Sequence, residues 1–211
     1  MEVRLDAKGF DALEKALKRH PQELKKATVA AVNRTAAKVK NTLVREMKKT
    51  YDLKTLDLKQ VSQEGKATGS FINLHKASFS RPESYIAVRG RPYNLYRFIQ
   101  SPKLPVSHLG KSIEEIKKIR LPRVRVMKAS AKTAGSHTFV ALGKQGESGR
   151  FLGVFQRRGK KADMLHTLSL AQMASNERVK KSTLNQSGQI LEKTVRQEID
   201  YRLQKLAGGV T

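Results

Sequence analysis

Residues 21–50 read PQELKKATVAAVNRTAAKVKNTLVREMKKT. Leu24, Ala27, Ala31, Thr35, Val39, Thr42 and Leu43 recur at steps that place them on one side of a helix. The spacing predicts a helix from about Pro21 to Thr50. Proline suits its first position, where the missing N–H would have no partner anyway. Many of the stripe residues are small, so a sheet or a second helix can approach closely. Arg34, Lys38, Arg45 and Lys49 form a basic edge beside the stripe.

Upstream, Phe10, Leu13 and Leu17 predict a short helix over about 9–19, broken by His20-Pro21. Downstream, Leu53, Leu56, Leu58 and Val61 read as a short helix or turn. From about residue 68 the period changes. Ser70–Leu74 and Ser84–Val88 read as strands, and Tyr93–Phe98 as a strand or extended packing segment. Pro102 and Pro105 bound a loop through about Gly110, and 111–119 reads as one or two helical turns. Leu121–Met127 alternates apolar Leu121, Val124 and Val126 with basic Arg123, Arg125 and Lys128. Such a strand buries one face and shows a basic comb on the other, and Pro122 places it at a sheet edge.

His137–Leu142 and Arg150–Phe155 read as two strands joined by a flexible hairpin loop over 143–149. Arg157, Arg158, Lys160 and Lys161 then make a basic turn. Residues 162–188 read as an extended arm or a poorly capped helix. A final helix over about 189–207 has Ile190, Leu191, Val195, Ile199, Leu203 and Leu206 as its apolar face. Its Glu192/Arg196 and Glu198/Arg202 form i,i+4 pairs, and Gly208-Gly209 ends it.

Helices, then strands, then a helix indicate α+β. The expected architecture is an antiparallel β-sheet core packed against the long N-terminal helix, with a C-terminal helix and extended loops or arms. We read 1–211 as a single domain. Its parts are a helical segment over 1–61, a strand-rich basic segment over 68–161, the arm over 162–188 and the helix over 189–207.

The 211 residues include 43 Lys and Arg against 18 Asp and Glu, a net charge of +25. Cys and Trp are absent, which excludes a disulfide scaffold, a thiolate metal site and a Cys nucleophile. No apolar run approaches the ~18 residues of a membrane-spanning helix. The start, MEVRLDAKGF, has an early acid and no apolar core, so it does not read as a signal peptide. The charge is spread along the chain and peaks in the middle. Residues 84–161 hold eighteen basic side chains against Glu114, Glu115 and Glu147. A chain so positive repels itself unless a polyanion or an acidic partner meets it. The candidate residues facing DNA or an acidic protein are Arg123, Arg125, Lys128, Arg157, Arg158, Lys160 and Lys161, with the helix edge Arg34, Lys38, Arg45 and Lys49.

Signals for enzyme chemistry are poor. Gly110-Lys111-Ser112 resembles the end of a phosphate-binding loop, but Pro105 stands where that loop needs a glycine. Gly143, Gly146 and Gly149 sit between strands rather than before a helix. His20, His75, His108, His137 and His166 lack metal-ligand spacing. No metal, cofactor or catalytic residue is expected. Phe151 and Phe155 read as strand core rather than as a base-stacking platform. Contact with nucleic acid, if made, would be to phosphates without sequence readout.

Three blocks carry a resemblance. Ala30-Ala31-Val32-Asn33-Arg34-Thr35-Ala36, followed by the basic helix and Tyr51-Asp52-Leu53-Lys54, is one. Arg150–Lys160, reading RFLGVFQRRGK, is the second, and Ser169-Leu170-Ala171-Gln172-Met173 the third. In this order they resemble the prophage minor tail protein Z family of tailed bacteriophages. The resemblance implies a structural virion protein, not an enzyme, that completes the head-proximal end of the tail and supports head–tail joining. It implies a homo-oligomeric ring, sixfold as in related neck proteins, around the DNA passage. The implied neighbours are tail tube or terminator proteins and the head–tail connector, with non-specific contact to packaged DNA and none to membrane. The implied location is the virion tail–neck region, after assembly in the host bacterial cytoplasm. The alternative is a basic, sequence-independent nucleic-acid-binding protein of ribosomal-like or nucleoid-like kind.

Overall fold

The structure is a computed structural model that describes residues 2–5, 15, 18, 20–61, 67–101, 122–133, 135, 137–145 and 149–208. The fold is α+β, with a long N-terminal helix, antiparallel sheets and a C-terminal helix. The helix expected over 9–19 and the loop and turns expected over 102–119 lie outside the described residues. Where the sequence reads as a single domain, the chain folds into two compact units. One comprises Met1–Lys48, Lys54–Gly90 and Leu170–Thr211, the other Lys49–Leu53 and Arg91–Ser169.

The first unit is built on two long helices. Helix α1 spans Pro21–Thr50, as its stripe dictates, and buries Ala27, Ala31, Thr35, Val39, Thr42 and Leu43. Three antiparallel strands form one sheet: β1 (Glu2–Leu5), β5 (Ser84–Val88) and β4 (Ile72–His75), in that order. β5 alternates as a half-buried strand should, with Ser84, Ile86 and Val88 inward. β2 (Lys59–Val61) and β3 (Ala67–Ser70) pair as a hairpin. The single strand expected over 70–74 is split at Phe71, because the Ser70 hydroxyl accepts from the Ile72 N–H at 3.1 Å and turns the chain. Asn33 pins the residues after β4 to α1. Its Oδ1 accepts from the Ala77 N–H at 2.7 Å, and its Nδ2 donates to the Ala77 carbonyl at 3.1 Å.

Of the two readings of 162–188, arm or poorly capped helix, the helix holds from Glu177 onward, and its cap is well formed. Lys161–Met164 form strand β11, Leu170–Ala174 a short helix α2, and Glu177–Leu206 one continuous helix α3. Helix α3 therefore starts twelve residues before the expected 189. Asn176 caps it by accepting from the Arg178 N–H, and Glu177 complements the first turn. Its buried face is made of Val179, Thr183, Ser187, Thr194, Val195 and Glu198 rather than large apolar residues. Thr183 and Thr194 donate to the carbonyls of Val179 and Ile190, which satisfies their hydroxyls. At the far end the Ala207 N–H donates to the Leu203 carbonyl and Gly208 adopts φ +82°, closing the helix as its glycine foretold. Leu203 and Leu206, expected on the apolar face, are exposed. α1 and α3 run antiparallel, since contacts pair residues 23, 34, 38 and 45 with 202, 198, 194 and 186. Ala27, Ala31, Val32, Val195 and Ala77 form the cluster between them and β4.

The second unit holds two three-stranded antiparallel sheets. In one, β7 (Arg123–Met127) lies between β6 (Ile99–Ser101) and β8 (Ser130–Thr133). The expected edge position of β7 is thus corrected. Pro122 precedes the strand, whose pairings with both neighbours shift register along its length. In the other, β10 (Gly149–Arg158) lies between β9 (Thr138–Gln145) and β11. The loop between β9 and β10 is shorter than expected, with Gly149 opposite Gln145. Tyr93–Phe98, expected as extended, ends in a 3-10 turn over Leu95–Phe98 that Asn94 caps. Ile99, Val124, Val140 and Val154 form the core, joined by Leu95, Tyr96, Leu142, Leu152 and Leu165.

Phe151 and Phe155 are not in that core. They are on the opposite face of β10 from Leu152 and Val154, where Phe155 stacks on Phe139 with centroids 6.1 Å apart. Gly143, paired with Phe151, leaves room for that ring, since a Cβ there would lie 2.3 Å from Phe151 Cζ.

Candidate functional site

The structure sorts the predicted basic residues into two groups. On α1 the basic edge faces α3. Arg34 Nη1 donates to Glu198 Oε2 at 2.6 Å, and Glu198 is fully buried. Lys38 Nζ donates to Thr194 Oγ1 at 3.3 Å, and Arg45 Nη2 to Gln186 Oε1 at 2.6 Å. Arg202 shares Glu198 at 3.0 Å and reaches Glu23 at 2.8 Å. Burial opposes the Arg202 charge, but hydrogen bonds and the charges of Glu198 and Glu23 outweigh it and raise its pKa above the ordinary value. Arg34, Lys38 and Arg45 are thus each bonded to α3 while remaining exposed. Lys49 is exposed in the last turn of α1.

Arg125, expected on an open comb, is also held. Its Nε and Nη2 each lie 3.0 Å from Asp52 Oδ2, which accepts from Gln100 as well. Asp52 is positioned by backbone, because its N–H donates to the Val126 carbonyl. Arg123 and Lys128 are exposed and make no side-chain hydrogen bond or ion pair among the described residues.

The remaining four candidates come together at the β10–β11 turn. Arg157 pairs with Ala162 and Arg158 with Lys161 across the strands, and Gly159-Lys160 is the two-residue loop. Gly159 adopts φ +60°, the positive value that a tight hairpin turn needs at its first loop position. Arg157, Arg158, Lys160 and Lys161 are all exposed. Among the described residues the one acidic contact to them is Arg158 with Asp163 at 4.0 Å, between side chains 73% and 59% exposed. Such an open pair is held weakly. Successive strand residues point to opposite faces, so Arg157 and Arg158 project on the two sides of the ribbon.

His137 belongs to the same sheet end and was not a sequence candidate. Its carbonyl accepts from the Arg157 N–H at 3.0 Å, and it is the one described non-glycine residue with positive φ, +61°. The sequence reads His137 as the first residue of a strand, which begins instead at Thr138.

Among the described residues no group of three His, Asp or Glu is placed to hold a metal ion, and no helix is long and apolar enough to cross a membrane. The chain matches no protein-family model, and searches of curated proteins and of solved structures return no match. The resemblance to the minor tail protein Z family therefore rests on the three sequence blocks alone.

Proposed function

We propose that the chain is a structural virion protein that completes the head-proximal end of a bacteriophage tail and supports head–tail joining as a ring around the DNA passage. It acts by geometry and charge, without catalysis. One observation carries the reading: the blocks that bear the resemblance serve as scaffold, while charge is displayed beside them. Asn33 pins Ala77, Thr35 and Ala36 are buried, Asp52 clamps Arg125, and Leu170 and Met173 are fully buried. The basic hairpin at the end of the second block, from Arg157 to Lys160, is turned to solvent. A frame with a charged tip suits a protomer that locks into a closed assembly and meets a negative surface.

Removing the chain from the producing phage tests this. The expected result is accumulation of filled heads and separate tails. Normal, joined particles would refute the proposal. A defect in translation or nucleoid compaction instead would favour the ribosomal-like or nucleoid-like alternative.

A further inference from the structure

We infer that the β10–β11 hairpin end is a binding site for the phosphate backbone of duplex nucleic acid. This deepens the proposed function and rests on it only for the biological setting, since the chemistry belongs to the hairpin itself. The first ground is the sorting of charge. Arg34, Lys38, Arg45 and Arg125 are engaged with partners inside their own units, whereas Arg157, Lys160 and Lys161 make no ion pair among the described residues. Arg158 has only the open contact to Asp163. Holding four like charges within five residues is unfavourable in water alone and favourable against a polyanion.

The second ground is shape. The β9 register with β10 ends at Gln156 opposite Thr138, and the last bond to the β9 side runs from the Arg157 N–H to the His137 carbonyl, so Arg158–Lys161 project beyond it as a two-stranded tip. The cations leave this ribbon on both faces and at its tip. A flat acidic protein surface would meet one face and leave the other charge unmatched. The major groove of a duplex, about 12 Å wide, admits a two-stranded ribbon and has a row of phosphates on each wall. Arg157 then faces one wall and Arg158 with its pair Lys161 the other, with Lys160 at the turn. Arginine forks also match phosphate oxygens in pairs. The contact is to phosphate oxygens, which carry no sequence information. The surroundings agree: the second unit carries 18 basic and 5 acidic residues.

The test is fluorescence anisotropy of the full chain with a labelled mixed-sequence duplex from 50 to 200 mM salt. Three variants are compared with the parent. The first replaces Arg157, Arg158, Lys160 and Lys161 by Gln. The second replaces Lys180, Lys181, Lys193 and Lys205 on α3 by Gln, all exposed, with the same loss of charge. The third is Arg157→Lys with Arg158→Lys. If each of the four contacts one phosphate, the first variant's log–log salt slope becomes shallower by roughly 3.6, and the parent's hairpin contribution falls roughly 150-fold over that salt range. The second variant should shift the slope by less than a third of that, and the third should keep the parent's slope. Equal slopes for the first two variants would overturn the site, because binding would then follow total charge. Unchanged duplex affinity in the first variant, with loss of binding to polyglutamate, would overturn it in favour of an acidic protein surface. The assay uses no particle, so it fails or succeeds independently of whether the chain joins heads to tails.

Discussion

Removing the Glu198 carboxylate should melt the first unit early, and the structure sets the size of the effect. Glu198 is fully buried on α3 and accepts from Arg34 at 2.6 Å and from Arg202 at 3.0 Å. Taking away one member of a buried ion pair generally costs about 3–5 kcal/mol, because its partner is left uncompensated. Here the two partners differ. The Arg34 side chain is 56% exposed and can rehydrate, while Arg202 is 13% exposed and cannot do so freely. Arg202 also keeps its contact to Glu23. Both facts place Glu198→Ala near the lower bound, about 3 kcal/mol. For a chain of this size that corresponds to roughly 6–12 °C in Tm. Arg34→Gln leaves Glu198 its bond to Arg202 and loses a largely hydrated group, so it should cost no more than about 1 kcal/mol. Thermal melts followed by helical circular dichroism measure both. A Glu198→Ala protein melting within 1 °C of the parent, or an Arg34→Gln protein melting as early as Glu198→Ala, would refute this account of the α1–α3 pairing.

Three further outcomes follow from the same two helices. Thr35 Oγ1 is buried on α1 without a hydrogen-bond partner among the described residues, so Thr35→Val should stabilise by about 1 kcal/mol in denaturant melts. Gly188 lies inside α3 with open space where a Cβ would go, so Gly188→Ala should stabilise by about 0.5–1 kcal/mol in the same assay. Glu23 has its pKa lowered, chiefly by the hydrogen bond from Lys26 and further by Arg202, against the opposing effect of burial. Its folded pKa is depressed, so its contribution is fully present above the unfolded value, near 4.3, and is lost as pH falls through the folded value. The Tm difference between the parent and Glu23→Gln should therefore close as melts are taken below about pH 4.3.

The long N-terminal helix was legible because its buried stripe is written in residues that only a 3.6 period brings together, from Ala27 to Leu43. β5 was legible for the matching reason at period two. The first half of α3 was not, since its inward residues are Thr183 and Ser187, which look like a solvated segment until their hydroxyls find backbone carbonyls or close neighbours. Asn176-Glu177 was a capping signal for it, and the polar run that follows concealed it. β1 was hidden because four residues with two charges carry no alternation that can be counted.

The site divides similarly. Clustering in sequence found the hairpin, because a tight turn keeps Arg157–Lys161 together in space. Clustering by helical face grouped Arg34, Lys38 and Arg45 but did not show their bonds to a second helix, because sequence does not say what a basic edge lies beside. The partners that settle it, Glu198, Thr194 and Gln186, lie about 140 to 165 residues away in the chain.

The proposed function makes this chain a fixed part of the tail–neck assembly, with its basic hairpin turned toward a negative surface there. Imaging of intact particles that carry a label on the chain tests it most directly. The expected result is a closed ring of label at the junction of head and tail, with the Arg157–Lys161 turns directed at the DNA passage. Particles that are complete and carry no copy of the chain at that junction would contradict it.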